Sequence, residues 1–359
     1  MRNYKKILLA AAITASLVGC GSNQTLPPVN DSGEKPSFQT SGNPVGVKAD
    51  QPIAIASFRV LFVTEGKRTQ TAADSGRWGS TGKAKSSATI KTTLTGVDSA
   101  LMQQITDNAY RNFSQSLTAQ GFNLLPLDKV TTNKEFKKLE KRENGQSESA
   151  LKAMKKMFVD NKADLKQYPI YSPKGLPLLE ETFMCKQLDP LFQSLCLPKV
   201  ASDMGVTLLH VSYVVDYSSF DSSAKAGKRF ETNSVYANAK VSTGQNIHLH
   251  PSRTGLVAIS PKGKELYFNL AEDNPYQGLS AFGETVEATS TTDKAVSGFK
   301  NTMGMLSAVA GGSSSSDSTV TYEMQAKPAI YQAIVNDMLT ASSQEMVWGL
   351  EYFKDKNKQ

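Results

Sequence analysis

Histidine, cysteine and tryptophan are scarce in this 359-residue chain, at three, three and two. Three histidines leave little material for imidazole acid–base chemistry or a multi-histidine metal centre. Beyond the first turns of the chain no run approaches the ~20 apolar residues of a membrane-crossing helix. The nucleophile elbow, the zinc-protease helix and the dinucleotide glycine pattern are missing. Asp and Glu are many, but no pair is marked out as acid and base. A triad assembled only in space leaves no such trace, so a hydrolase stays open as an alternative, although the chain is not expected to be an enzyme or to need a cofactor. Charge of one sign is not in excess either. The net charge is +7, and Arg2, Lys5 and Lys6 carry three of those positives. The remainder is too mild, and too interspersed with Asp and Glu, to argue for nucleic acid. It permits a loose attraction to acidic headgroups or polysaccharide.

What is there begins with Met1 to Cys20. A basic lead is followed by an apolar or small stretch from Ile7 to Val18, closed by Leu17-Val18-Gly19-Cys20. An apolar core of about a dozen residues reads as a secretory signal, residues 1–19, and not as a span. The terminal Leu-x-Gly-Cys resembles the lipobox of bacterial lipoproteins. That resemblance implies a diacylglycerol on the Cys20 sulfur and a third chain, such as palmitate, on its amine, a hold far beyond that of one chain. By the sorting rule of the lipoproteins it resembles, Gly21 in place of Asp implies the outer membrane, and a body facing the periplasm is expected.

Cys185 and Cys196 remain. An even pair in an oxidising compartment reads as a disulfide, and the loop it closes would contribute roughly 2–3 kcal/mol. No Cys or His lies nearby at metal-ligand spacing.

Residues 20–51 are rich in Pro, Ser, Gly and Asn and read as a disordered tether. Residues 52–353 read as one α/β (α+β) domain, a mixed and mostly antiparallel sheet with helices packed on it and long inserted loops at about 129–200 and 271–322. Pro52 to Val63 is the first predicted strand. Glu65 to Gly96, dense in Thr, Ser, Lys and Gly, is expected to be a loop. Gly79-Ser-Thr-Gly-Lys83 within it has the look of a phosphate loop, but Arg77 stands where the first Gly belongs and Ala84 where Ser or Thr should hold the metal.

Asp98 to Gln120 is the clearest helix, with Leu101, Ile105, Ala109, Phe113 and Leu117 on one stripe, Asp98 or Ser99 as cap and Gly121 as stop. Phe122 to Leu127 reads as a strand, and Ser149 to Asn161 as a helix with Leu151, Met154 and Phe158 on one face. Ser172 to Lys199 reads as an irregular insertion. Val206 to Tyr217 is a core strand, Ser218 to Ser234 a polar loop and Val235 to Val241 a strand. Gly255 to Ser260 and Glu265 to Leu270 flank the hairpin turn Pro261-Lys-Gly-Lys264, so the second half reads as an antiparallel meander. Gly298 to Val309 is a candidate short helix, Gly311 to Asp317 has linker composition, and Pro328 to Thr340 reads as a helix with Pro in its first turn.

His248 and His250, two apart on one face of a strand, are the weak candidates for a metal, and His210 could join them across a sheet. Solvated or hydrogen-bonded histidines are the better reading.

The order of elements resembles the curli-secretion lipoprotein family and its relatives in polysaccharide export and flagellar assembly. The likeness rests on the lipobox and tether, the strand Ile53 to Val63, and the helix and strand Asp98 to Leu127. It continues through Ala201-Ser-Asp-Met-Gly205 leading into Val206 to Tyr217, the turn in Ala258-Ile-Ser-Pro-Lys-Gly-Lys-Glu-Leu266, and the helix Pro328 to Thr340. Family members that form pores carry hairpins of alternating apolar residues, each strand ~9–11 residues long. Ser218 to Ser234 and Ala271 to Tyr322 lack that alternation, and the Cys-bearing insertion is foreign to the pattern. The resemblance thus implies a periplasmic α/β body, in a ring or an envelope complex, better than a channel. Two functions follow as expectations: a structural component of a secretion or cell-surface apparatus, or a ligand-binding or hydrolytic envelope lipoprotein.

Overall fold

The computed structural model describes residues 36–44, 47–48, 50–74, 83–146, 169–179, 197–228, 235–251, 253–278, 281–289 and 314–357. The predicted helices Ser149 to Asn161 and Gly298 to Val309, and most of the Cys-bearing insertion, lie outside them. The fold is mixed α and β, with sheets dominant and helices packed on them.

The β-branched and aromatic run Ile53–Phe62 forms β2, buried at every position. A strand covered on both faces needs no alternation, which is why it reads as a continuous apolar run. It pairs in parallel with β8 (Thr207–Lys228) along Ile53 to Phe62, with a bulge between Ile55 and Ser57. The eight-stranded sheet has the order β1 (Phe38–Gly42), β11 (Glu265–Leu270), β10 (Gly255–Ile259), β8, β2, β6 (Ile170–Tyr171). To this path are added β9 (Val235–Leu249) on β8 and β12 (Gln277–Gly278) on β9. The β10–β11 meander matches the turn expected at Pro261 to Lys264.

Two long helices cover one face. α1 (Ser99–Ala119) is capped by the Asp98 carboxylate, which accepts the Leu101 N–H, and Gly121 follows it at φ +70°. Its buried stripe is Met102, Ile105, Thr106, Ala109, Phe113 and Leu117. α5 (Pro328–Lys356) runs well past the predicted end at Thr340. Phe58 of β2 meets Tyr110, Phe113 and Tyr213 at 5.5, 5.9 and 5.8 Å between centroids. Tyr213 also shares a hydrogen bond of 2.7 Å with Ser343 of α5. The Asn112 amide donates to Thr340 Oγ1 and ties the helices together.

α2 (Leu127–Thr131) and α3 (Lys134–Lys137) follow α1, and α4 (Leu197–Met204) leads into β8. Glu135 of α3 pairs with Lys138 at 2.7 Å and Lys199 of α4 at 3.2 Å, and Lys138 first, then Lys199, holds its carboxyl below the usual range. β5 (Lys141–Arg142) pairs with β7 (Leu178–Leu179).

Five expectations are corrected. The tether expected over 20–51 ends before Phe38, because β1 adds to the sheet beside β11 and the apolar Phe38 and Val47 are buried. The strand predicted over Phe122 to Leu127 is a single bridge, Ile53 to Leu124, because Pro126 has no N–H to extend a ladder and instead precedes α2. The described residues of Glu65 to Gly96 are not a loop: they form the antiparallel pair β3 (Glu65–Asp74) and β4 (Ala84–Thr95), in register from Glu65 with Thr93 to Asp74 with Ala84. Ser218 to Lys228 is not a polar loop but the continuation of β8, which β9 follows as far as Lys228 opposite Val235. Within Ala271 to Tyr322, the described residues add β12, β13 (Gly283–Glu287) and β14 (Ser314–Ala326), so residues 314–317 begin a strand instead of extending a linker. β14 lies parallel to β4, and the second sheet has the order β13, β14, β4, β3.

Candidate functional site

The feature that projects from the core, joining it at its base through Tyr217, Leu94, Met324 and Ala326, is a β arm. β8 leaves the body beyond Val215, turns back as β9, and the four-stranded sheet lies over this hairpin. Asp216 makes the departure possible: its Oδ1 accepts the N–H groups of Tyr217 and Ser218 at the point where the β8–β9 register shifts.

The two layers approach closely because their facing residues are small. On β4, Ala84, Ser86, Ala88, Ile90, Thr92 and Leu94 are buried, while Lys85, Ser87, Thr89, Lys91, Thr93 and Thr95 face out. The Ala239 N–H of β9 and the Ser316 hydroxyl of β14 both donate to Ser86 Oγ, at 3.2 and 3.0 Å. Arg68 Nη2 donates to Ser222 Oγ at 3.3 Å, and the Tyr217 hydroxyl to Thr92 Oγ1 at 2.8 Å. Burial first, then the charges of Asp216 and Glu65, holds the Tyr217 phenol far above its ordinary range, against the opposing pull of the Thr92 bond. Gly66 is a contact point: a Cβ there would lie 2.6 Å from Thr92 Oγ1 and 2.9 Å from the Phe220 ring. The outer face is a hydroxyl surface, with Thr69 and Thr89 bonded at 3.0 Å and Thr71 and Ser87 at 3.4 Å.

Beyond Val215 the only strand hydrogen-bonded to β8 among the described residues is β9. Asp221 to Ala226 are exposed at every position. One edge of this segment therefore offers backbone donors and acceptors to a further strand.

The histidines divide. His248 and His250 do come together, with rings 6.4 Å apart, and the Asn246 carbonyl lies 3.0 Å from His248 Nδ1. His210 does not join them. It lies deep in the sheet between Ser57 of β2 and Val257 of β10, whereas His248 faces Asp216. Burial first, then the charges of Arg59 and Arg253, holds its imidazole well below the ordinary range. Among the described residues no group of three or more His, Cys, Asp or Glu is placed to hold a metal ion. Cys20, Cys185 and Cys196 lie outside the described residues, as do 79–82 of the phosphate-loop-like stretch. Among those residues no helix is long and apolar enough to cross a membrane.

No family model, curated protein or solved structure matches the chain. The arm was not legible as a site in the sequence. The only available signal was the alternation of Ala and Ser with Thr and Lys along β4, which differs little in hydrophobicity from one face to the other.

Proposed function

We propose that the protein is a lipid-anchored outer-membrane lipoprotein, facing the periplasm, that acts as a structural or assembly component of a secretion or cell-surface apparatus. The observation that carries this is the open edge of β8 at Asp221 to Ala226, exposed at every position and hydrogen-bonded among the described residues to β9 alone. Natural sheets blunt long edges with charged residues, proline, bulges or covering elements, because an open edge templates another strand. Here Asp221 and Lys225 are charged and a bulge lies at the base, but the segment has no proline and Asp221 to Ala226 are exposed. An anchor at Cys20 would hold copies in one plane, where high effective concentration favours edge-to-edge contact. The partner is a second copy or another envelope protein.

Detergent-extracted protein should have the mass of a large assembly by light scattering. Successive backbone N–H groups of a strand point to opposite edges, so of Ser223→Pro and Ala224→Pro one removes an outward donor and the other a bond to β9. The outward one should dissolve the assembly while the circular dichroism spectrum of the body is retained. A monomer carrying a bound small molecule would favour the ligand-binding or hydrolytic reading instead. Cys20→Ser should abolish incorporation of labelled fatty acid and release the protein from membranes.

A further inference from the structure

The direction of β1 relates the arm to the anchor. Phe38 faces Leu270, Asn269 faces Gly255, and Gly255 faces Ser212, so β1 starts at the end of the sheet from which β8 leaves and runs away from it. The chain enters the body at the base of the arm, where the Ser37 carbonyl accepts the Ala271 N–H at 2.8 Å. About 16 residues separate Cys20 from Pro36, enough chain to reach at most ~55 Å. The arm from Val215 to Lys228 is roughly 40 Å long. That length lies within the limit, so the arm can reach the leaflet that holds an anchor at Cys20.

Charge is unevenly spread along the arm. Lys83, Lys85, Lys225 and Lys240 are exposed towards its tip, against the carboxylates of Asp74, Asp221 and Asp317. Glu65, Glu284, Glu287 and Glu323 gather at the body end, beside Lys67 and Lys91. Tyr236, 39% exposed, sits at the far end of the β8–β9 hairpin. Tyrosine and lysine together suit the headgroup level of a bilayer. The outward side chains of β4 are hydroxyls and amines, unsuited to hydrocarbon.

We propose that the tip of the arm docks on the anionic phospholipid headgroups of the leaflet that holds the lipid anchor, through Lys83, Lys85, Lys225 and Lys240, with Tyr236 at headgroup level. This rests on the lipid-anchored reading above. The arm thereby stands on the membrane without crossing it.

The test reconstitutes extracted, lipid-bearing protein into phosphatidylcholine vesicles with or without phosphatidylglycerol. A Tyr236→Trp variant is read by quenching from brominated lipids, with the unsubstituted protein as background. Quenching is expected on phosphatidylglycerol vesicles only, and should be lost at high salt or when the four lysines are changed to Glu. Reversal of Lys262 and Lys264, in the turn at the opposite end of the sheet, should leave it unchanged. In the full chain carrying Cys20→Ser, reversal of Lys85 and Lys225 alone should lower partitioning onto phosphatidylglycerol vesicles about tenfold or more; this pair serves should the fourfold variant fail to fold. Quenching that is absent, equal on neutral vesicles, or indifferent to reversal of the tip lysines would overturn the proposal. Flotation of the lipid-bearing protein reports the anchor separately, so failure of anchoring and failure of docking give different results.

Discussion

The Glu345 carboxylate of α5 accepts the backbone N–H of Ser37, 308 positions earlier in the chain, at 2.5 Å. The same side chain accepts the Phe38 N–H at 3.2 Å and the Tyr276 hydroxyl at 2.5 Å. Burial first, then this carboxylate, holds the Tyr276 phenol far above its usual range. A buried carboxylate with three donors is expensive to remove, because the donors stay behind unsatisfied. Glu345→Ala should therefore destabilise the protein by roughly 3 kcal/mol. Glu345→Gln, which can still accept the two N–H bonds, should lose about a third of that. Urea denaturation of both variants checks the difference, and equal losses would show that the bonds do not matter.

Gly66 offers a way to loosen the arm alone. A Cβ at that position meets Thr92 and Phe220 well inside contact distance. Gly66→Val should cost about 1–3 kcal/mol of overpacking, concentrated in β3, β4 and the outer half of β8. Hydrogen exchange should speed up in those segments, with α1 and β2 still protected. Uniform acceleration across the body would mean that arm and body unfold as one.

His210 predicts a dependence on pH. Its folded-state value is depressed, so below the unfolded value of ~6.5 the unfolded chain binds a proton that the folded chain refuses. The associated stability is complete above that value and is lost as the pH falls below it, by at most about 1.4 kcal/mol per pH unit. His210→Gln should flatten the slope of stability between pH 6.5 and about pH 5. An unchanged slope would mean that other groups dominate.

In protein taken from the envelope, Cys185 and Cys196 should be oxidised to each other. Thiol labelling without prior reduction should find neither, and free reaction of both would remove the staple.

Pure protein in planar bilayers should stay electrically silent. A strand facing hydrocarbon needs an apolar side chain at every second position, and β4 presents Lys85, Ser87, Thr89, Lys91, Thr93 and Thr95 outward. Stable stepwise conductance would show that the arm rearranges into a membrane-crossing form.

Legibility in the sequence followed the chemistry of burial. β2 was plain because it is apolar throughout, and α1 because a four-residue stripe and two caps agree. The second half of α5 was hidden, since several of its buried positions are Ser342, Ser343, Glu345 and Gly349. The arm was hidden because its inner residues are mostly small and its outer ones mostly Thr and Lys. The Phe122 to Leu127 strand failed on one proline. Of the candidate site, the neighbouring histidines were foreseeable from their spacing. The open edge was not, because which side of β8 lacks a neighbour depends on where its pairing with β2 ends, at Val215.

The Ser37–Glu345 bond also dictates an order of events. Ser37, at the head of β1, is synthesised 308 positions before its lock. β4 likewise waits for β14, its parallel neighbour from Ala84 with Ser314 to Thr95 with Gln325. Contacts this distant in sequence make for slow folding, because the entropy of closing the loop must be met before any pairing rewards it. A chain broken off before Glu345 would keep its first strand unlatched and its arm incomplete. Unfinished copies would then stay open to proteases while finished ones close, so the wiring of the fold sorts complete molecules from fragments.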